Sequence, residues 1–210
     1  MRPILVITIG FLSMLANFAG AAGNAEVGKG LYTTCAVCHG ADGAGSETMK
    51  AAPRINHLDT PYLVAQLQKF KAGIRGGEGA SKVATQMAAM AAPLADEQAM
   101  MDVAAYAATL EGAVSAVTVE GDLEAGGTQF TQLCGACHGM AGEGNTAMNS
   151  PRLAGTDDWY LVEQLQAFKT GTRGSNPADV TGMQMRGMAA VLQDDKAVND
   201  VSTYIRSLAE

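Results

Sequence analysis

The chain reads as an all-α protein built twice over, with two small helical domains at residues 23–112 and 123–210 joined by a linker at 113–122. Three observations lead there. No segment alternates apolar and polar residues with the period of two that marks a half-buried strand. Apolar residues instead recur at i, i+3, i+7 and i+10, in Met100, Val103, Ala107 and Leu110 and again in Val198, Val201, Ile205 and Leu208. The second half also repeats the first: Pro53-Arg54 matches Pro151-Arg152, Tyr62-Leu63-Val64 matches Tyr160-Leu161-Val162, and Arg75-Gly76 matches Arg173-Gly174, all at an offset of 98.

The elements follow in chain order. Met1-Arg2, the apolar run Ile4 to Leu15 and the small residues Ala19-Gly20-Ala21 form an export signal over residues 1–22. The first helix runs from about Asn24 into Cys35, and Gly28 permits another helix to approach closely. Its copy is read at an offset of 99, pairing Gly28 with Gly127 and Leu31 with Phe130. A middle helix opens with Thr60 as N-cap and Pro61 at the first helical position. It places Leu63, Leu67 and Phe70 on one face and stops at Gly73; Leu161, Leu165, Phe168 and Gly171 repeat it. A methionine-bearing stretch and the last helix complete each domain. Residues 111–124 carry no helical stripe, which places the linker within them.

Between the first helix and the middle one stands the motif on which the chemistry turns. It is Cys35-Ala36-Val37-Cys38-His39, repeated as Cys134-Gly135-Ala136-Cys137-His138, and it uses every cysteine in the chain. The pattern CxxCH attaches c-type haem: two thiols form thioethers to the porphyrin, and the adjoining imidazole binds iron. A four-cysteine zinc site would leave both histidines unexplained, and a thioredoxin-like motif needs a βαβ setting that is missing. Aromatic residues make up 5% of the chain, so each domain has a thin core that a macrocycle would fill. Two covalent haem c groups are therefore expected, with His39 and His138 as axial ligands.

The other axial ligand separates electron transfer from catalysis. His57 has Gly155 as its counterpart and reads as a surface loop residue. Among the methionines, Met87 with Met185 and Met90 with Met188 survive the repeat, and the repeat alone does not separate the pairs. The two CxxCH-Gly motifs, the Tyr-Leu-Val-x-Gln-Leu-Gln helices, the methionine region and the final Tyr-bearing helices resemble the dihaem cytochrome c4 family, two class I cytochrome c domains in tandem. The resemblance covers essentially the whole exported chain. It implies that the ligating methionine stands seven residues before the Leu that precedes the last helix, which selects Met87 (before Leu94) and Met185 (before Leu192). It also implies that the carbonyls of Pro53 and Pro151 accept Nδ1–H of the iron-binding histidines. Arg54 and Arg152 follow those prolines and suit haem propionates. Tyr62, Trp159 and Tyr160 are further hydrogen-bonding candidates nearby.

These residues and the resemblance imply a periplasmic carrier of single electrons between respiratory-chain donors and a terminal oxidase or other acceptor. Its partners are a quinol-oxidising complex or dehydrogenase as donor and a terminal oxidase as acceptor, with no transmembrane segment in the exported chain and peripheral membrane association as an option. The alternatives are a haem subunit of a periplasmic dehydrogenase or oxidase complex, or a dihaem peroxidase. The acidic balance, net −7 with a pI near 4.9, argues against nucleic acid. Charge is uneven, −2 over residues 22–112 and −6 over 113–210, and Asp157, Asp158, Asp194 and Asp195 are expected on a partner-docking face.

Overall fold

The computed structural model describes residues 22–46 and 52–209; the expected export signal, but for Ala22, lies outside them. The N-terminal half consists of α1 (Ala25–His39), α2 (Thr60–Lys71), α3 (Lys82–Ala91) and α4 (Glu97–Ala107). The C-terminal half consists of α5 (Leu123–Gln129), a π-helical turn (Phe130–Cys134), α6 (Gly135–His138), α7 (Asp158–Thr170), α8 (Val180–Ala189) and α9 (Asp195–Ser207). The described residues form no strand, only an isolated bridge between Asn145 and Ser150. No helix among them is long and apolar enough to cross a membrane.

First and last helices cross in each half, α1 on α4 and α5 on α9, and glycine makes the crossing possible. A Cβ on Gly28 would lie 1.9 Å from the Asp102 carbonyl oxygen. The C-terminal residue in the same position is Gly126, whose Cβ would lie 2.1 Å from the Asp200 carbonyl. Gly127, the partner expected from sequence, instead faces the Tyr204 ring. Tilted ring contacts agree with the new register. Tyr32 packs on Tyr106 at 5.3 Å, and Phe130, not Leu31's expected counterpart but Tyr32's, packs on Tyr204 at 5.5 Å. The offset ahead of the motif is thus 98. The π-turn absorbs one extra residue before Cys134, with the Gly135 N–H bonded to the Phe130 carbonyl five residues back. The shorter loop after His138 then restores 98.

α2 begins one residue earlier than expected, with Asp59 at the cap position and Thr60 inside the helix. At its far end Gly73 takes a positive φ of 67°, and Gly171 ends α7 at φ 79°. The last helices bury the residues their stripes indicate: Met100, Val103 and Ala107 in α4, and Val198, Val201 and Ile205 in α9. The cores differ in substance. Tyr32, Val64, Met100, Val103, Ala104 and Ala107 line the first, whereas Phe130, Leu161, Leu192, Val198, Val201 and Ile205 form the second.

Residues 113–122 have no regular structure, yet they are fastened to the C-terminal half. The Asp158 carboxylate accepts from the Thr118 amide (2.7 Å), the Thr118 hydroxyl (2.7 Å) and the Val119 amide (2.8 Å). Ser115 donates to Asp157, and Arg206 donates to the Ser115 carbonyl. Asp157 and Asp158 are therefore buried, at 2% and 0% exposure, and do not belong to a docking face. Asp194 caps α9 by accepting from the Ala197 amide at 2.8 Å, while Asp195 is exposed.

Candidate functional site

α1 runs through the first motif, so Cys35, Cys38 and His39 fall at i, i+3 and i+4 on one helix face. The π-turn and α6 present Cys134, Cys137 and His138 in the other half. All four thiols are free. Burial pushes the Cys134 thiol up to about 11, with the neighbouring Cys137 adding to it, and it raises Cys35 as well.

Each motif histidine is buried and oriented by a single carbonyl. His39 Nδ1–H donates to Pro53 O at 2.8 Å, and His138 Nδ1–H donates to Pro151 O at 2.9 Å. Burial lowers the pKa of both imidazoles, against the pull of the proline carbonyls. The rings are thus neutral near pH 7, with Nδ1–H engaged and the Nε2 lone pair free for a metal.

Both histidines, all four cysteines, and Met87, Met90, Met185 and Met188 line one continuous cavity of about 810 Å³ that extends across both halves. Met87 and Met185 are half-buried, whereas Met90 and Met188 are 37% and 39% exposed. The wall is apolar along Leu63, Leu67, Leu161 and Leu165 and cationic at Lys69, Arg54, Arg75, Arg152 and Arg173. Arg54 Nε and His57 Nδ1 are buried there with no partner among the described residues. Free paired thiols, oriented neutral imidazoles, an apolar cleft lined by cations and an Arg54 Nε without a partner among the described residues fit haem c, whose propionates are anions.

One side chain sits elsewhere than the sequence suggested. His57 is not on a surface loop. It stands between the halves with Nε2 2.8 Å from Thr156 Oγ1, and burial, then the cations Arg54 and Arg152, bring its pKa down to about 3. Arg54 also bridges the halves, donating to Gly155 O at 3.1 Å and Gly112 O at 3.2 Å, while its backbone amide donates to Asp157 at 2.8 Å. Arg152 is exposed and donates to Ala154 O at 3.2 Å. Trp159 lies edge-on to Tyr160, with ring centroids 5.7 Å apart.

Sequence reading missed the polar lattice between the two halves. Arg75 donates to Gln66 in its own half at 2.8 Å, and to Tyr160 OH (2.7 Å) and Gln164 (3.0 Å) in the other. Arg173 does the converse, donating to Gln164 at 2.7 Å and reaching Tyr62 OH (3.3 Å) and Gln66 (3.2 Å). Each residue and its repeat counterpart exchange places, as in an isologous interface. Each guanidinium also lies over a phenylalanine of its own half, Arg75 over Phe70 at 4.5 Å and Arg173 over Phe168 at 4.4 Å. The available signal was the pairing of Tyr, Gln and Arg at the same spacing in both repeats.

One further contact has no copy. Lys69 of α2 donates to Asp179 Oδ1 (2.6 Å) and Thr181 Oγ1 (2.7 Å) at the start of α8. Burial opposes ionisation of Asp179, but the Lys69 ammonium and the Gly182 amide outweigh it and hold the carboxyl below its ordinary range.

Comparison with known proteins agrees with this geometry. The family model described as "Cytochrome c" matches twice, at residues 25–111 and 123–209. A cytochrome c4 from Stutzerimonas stutzeri is 35% identical, over 97% of this chain and 96% of its own length. A thiosulfate dehydrogenase electron acceptor from Stutzerimonas stutzeri (strain A1501) is 35% identical, over 84% and 79%. The crystal structure of reduced cytochrome c4 from Pseudomonas stutzeri superposes with a TM-score of 0.69 at 32% identity, covering 88% of this chain and 98% of that one. With two CxxCH pockets on a duplicated helical fold, the chain belongs to the dihaem cytochrome c4 family and is a dihaem electron carrier.

Proposed function

We propose that the protein is exported to the periplasm and carries single electrons from a quinol-oxidising complex or dehydrogenase to a terminal oxidase, with His39 and Met87 binding one iron and His138 and Met185 the other. Haem c, when bound, supplies reversible one-electron chemistry between ferric and ferrous iron. The chain's part is to hold the ligands. Pro53 and Pro151 fix the imidazole rings, and α3 and α8 carry the thioether donors. A thioether ligand favours the ferrous state and raises the potential. Arg54 and Arg152 are the cations assigned to the propionates.

The observation that carries this reading is the equivalence of the pockets: each half pairs an oriented neutral imidazole with a half-buried methionine seven residues before the Leu that leads into the last helix. The shared cavity supports passage of electrons between the haems within one molecule. The relative known as an acceptor for thiosulfate dehydrogenase supports a dehydrogenase as donor.

A spectroscopic redox titration tests it. Both haems should be low-spin and show the ferric Fe–S(Met) charge-transfer band, and Met87→Ala and Met185→Ala should each remove half of it. A high-spin component that rapidly binds peroxide or carbon monoxide would mean an open iron and favour a dihaem peroxidase instead.

A further inference from the structure

The repeats diverge coherently at one place. In the C-terminal half, Asp179, Thr181 and Gly182 begin the methionine-bearing helix; their counterparts are Ser81, Val83 and Ala84. Lys69 has Ala167 as its counterpart. The substitutions serve a single contact. Asp179 caps α8 by accepting from the Gly182 amide at 2.9 Å, and the same oxygen, Oδ1, accepts from Lys69 of the opposite domain. Gly182 makes room for it, since a Cβ there would lie 2.0 Å from the Asp179 carboxylate. Ser81 caps α3 from an exposed position, accepting from the Ala84 amide at 3.2 Å, and makes no hydrogen bond to the other domain among the described residues. Asp179 is 2% exposed, so this ion pair is shielded from solvent in a way that surface pairs are not.

We propose that Lys69 is a positioning residue for the iron-binding methionine of the other domain: by holding Asp179 and Thr181 at the start of α8, it makes Met185 ligation depend on domain docking, whereas Met87 ligation does not. The inference rests on the reading of Met185 as ligand. Six residues, under two helical turns, separate Asp179 from Met185, so a shift or fraying of the first turn reaches the thioether. Asn at position 179 would retain the cap while losing the charge, which separates capping from the cross-domain contact.

The test follows the Fe–S(Met) charge-transfer band of the ferric dihaem protein on heating. In Lys69→Met, half of the band should be lost about 5 °C earlier than in the parent, and the other half should not move. Asp179→Asn should do the same, and Lys69→Arg should restore the parent curve. Adding Met185→Ala to Lys69→Met should abolish the early half alone. The unmoved N-terminal half reports intact folding in every variant. Equal shifts of both halves, or no shift, would overturn the coupling. If Met185→Ala removes no band, the ligand assignment fails, and this inference with it.

Discussion

The two halves of this molecule hold haem by the same means and stabilise themselves by different ones. Each presents Cys-x-x-Cys-His beside a proline carbonyl, a glycine-permitted helix crossing and a methionine helix. The N-terminal half fills its core with Tyr32, Met100 and small alanines, and Tyr32 donates to Gly40 O at 2.9 Å. The C-terminal half uses Phe130 and branched aliphatics, inserts a π-turn before Cys134, and gathers the linker onto Asp157 and Asp158. The haem motif, the proline carbonyl and the Tyr-Gln-Arg lattice between the copies were kept through the duplication, and the residues that fill each core were free to change.

The largest expected effect tests the helix crossing that both halves share. Gly28→Ala and Gly126→Ala each drive a Cβ into backbone, so each should cost about 3 kcal/mol or more in chemical denaturation of the haem-loaded protein. Gly127→Ala meets only the edge of the Tyr204 ring, which can shift, and should cost distinctly less. Equal losses at 126 and 127 would undo the register given by the structure.

Asp158 tests where the halves part. Burial opposes its ionisation, yet the Thr118 hydroxyl and the amides of Thr118, Val119 and Trp159 hold its carboxyl below the ordinary carboxylate range. A depressed folded-state value adds stability above the unfolded value near 3.8, and this is lost as pH falls through the folded value. Asp158→Asn should cost about 2 kcal/mol near pH 7, and flatten the loss of stability on acidification below pH 4. Its counterpart is Thr60, which holds no linker, so no substitution there should reproduce that pH dependence.

The interface lattice comes next. Arg75→Gln and Arg173→Gln should each weaken docking by about 1–2 kcal/mol, visible as separation of two unfolding transitions followed at the haems. The exchange of equivalent contacts predicts similar losses from both. The smallest effect is expected from deleting Thr131, an exposed residue of the π-turn. The N-terminal half shows that a regular helix spans the same distance, so stability should stay within ~0.5 kcal/mol, and both haems should still attach.

Much of this was legible because haem attachment needs fixed residue types at fixed spacing, and because the helical stripes of α4 and α9 survive in both copies. The register ahead of Cys134 was not. Gly126 and Gly127 adjoin, counting back from the cysteines selects the second, and a π-turn leaves no mark in hydrophobic periodicity. His57, Asp157 and Asp158 were misplaced for a different reason. Each is polar and lies in a loop or at a helix start, which reads as exposed until the linker or the other domain is set against it. The lattice of Arg75 and Arg173 likewise exists only when two surfaces meet, and no one-chain pattern of burial announces such a meeting.

The strapped linker also bears on how so polar an interface can suffice. With residues 115–119 pinned to α7 and α9, little free chain separates the two domains. Short tethers hold their ends at effective concentrations on the order of millimolar. Docking then becomes a unimolecular closure, and the lattice of hydrogen bonds has only to close the interface, not to gather two separate proteins. The same economy leaves the domains able to part and re-engage without leaving the molecule.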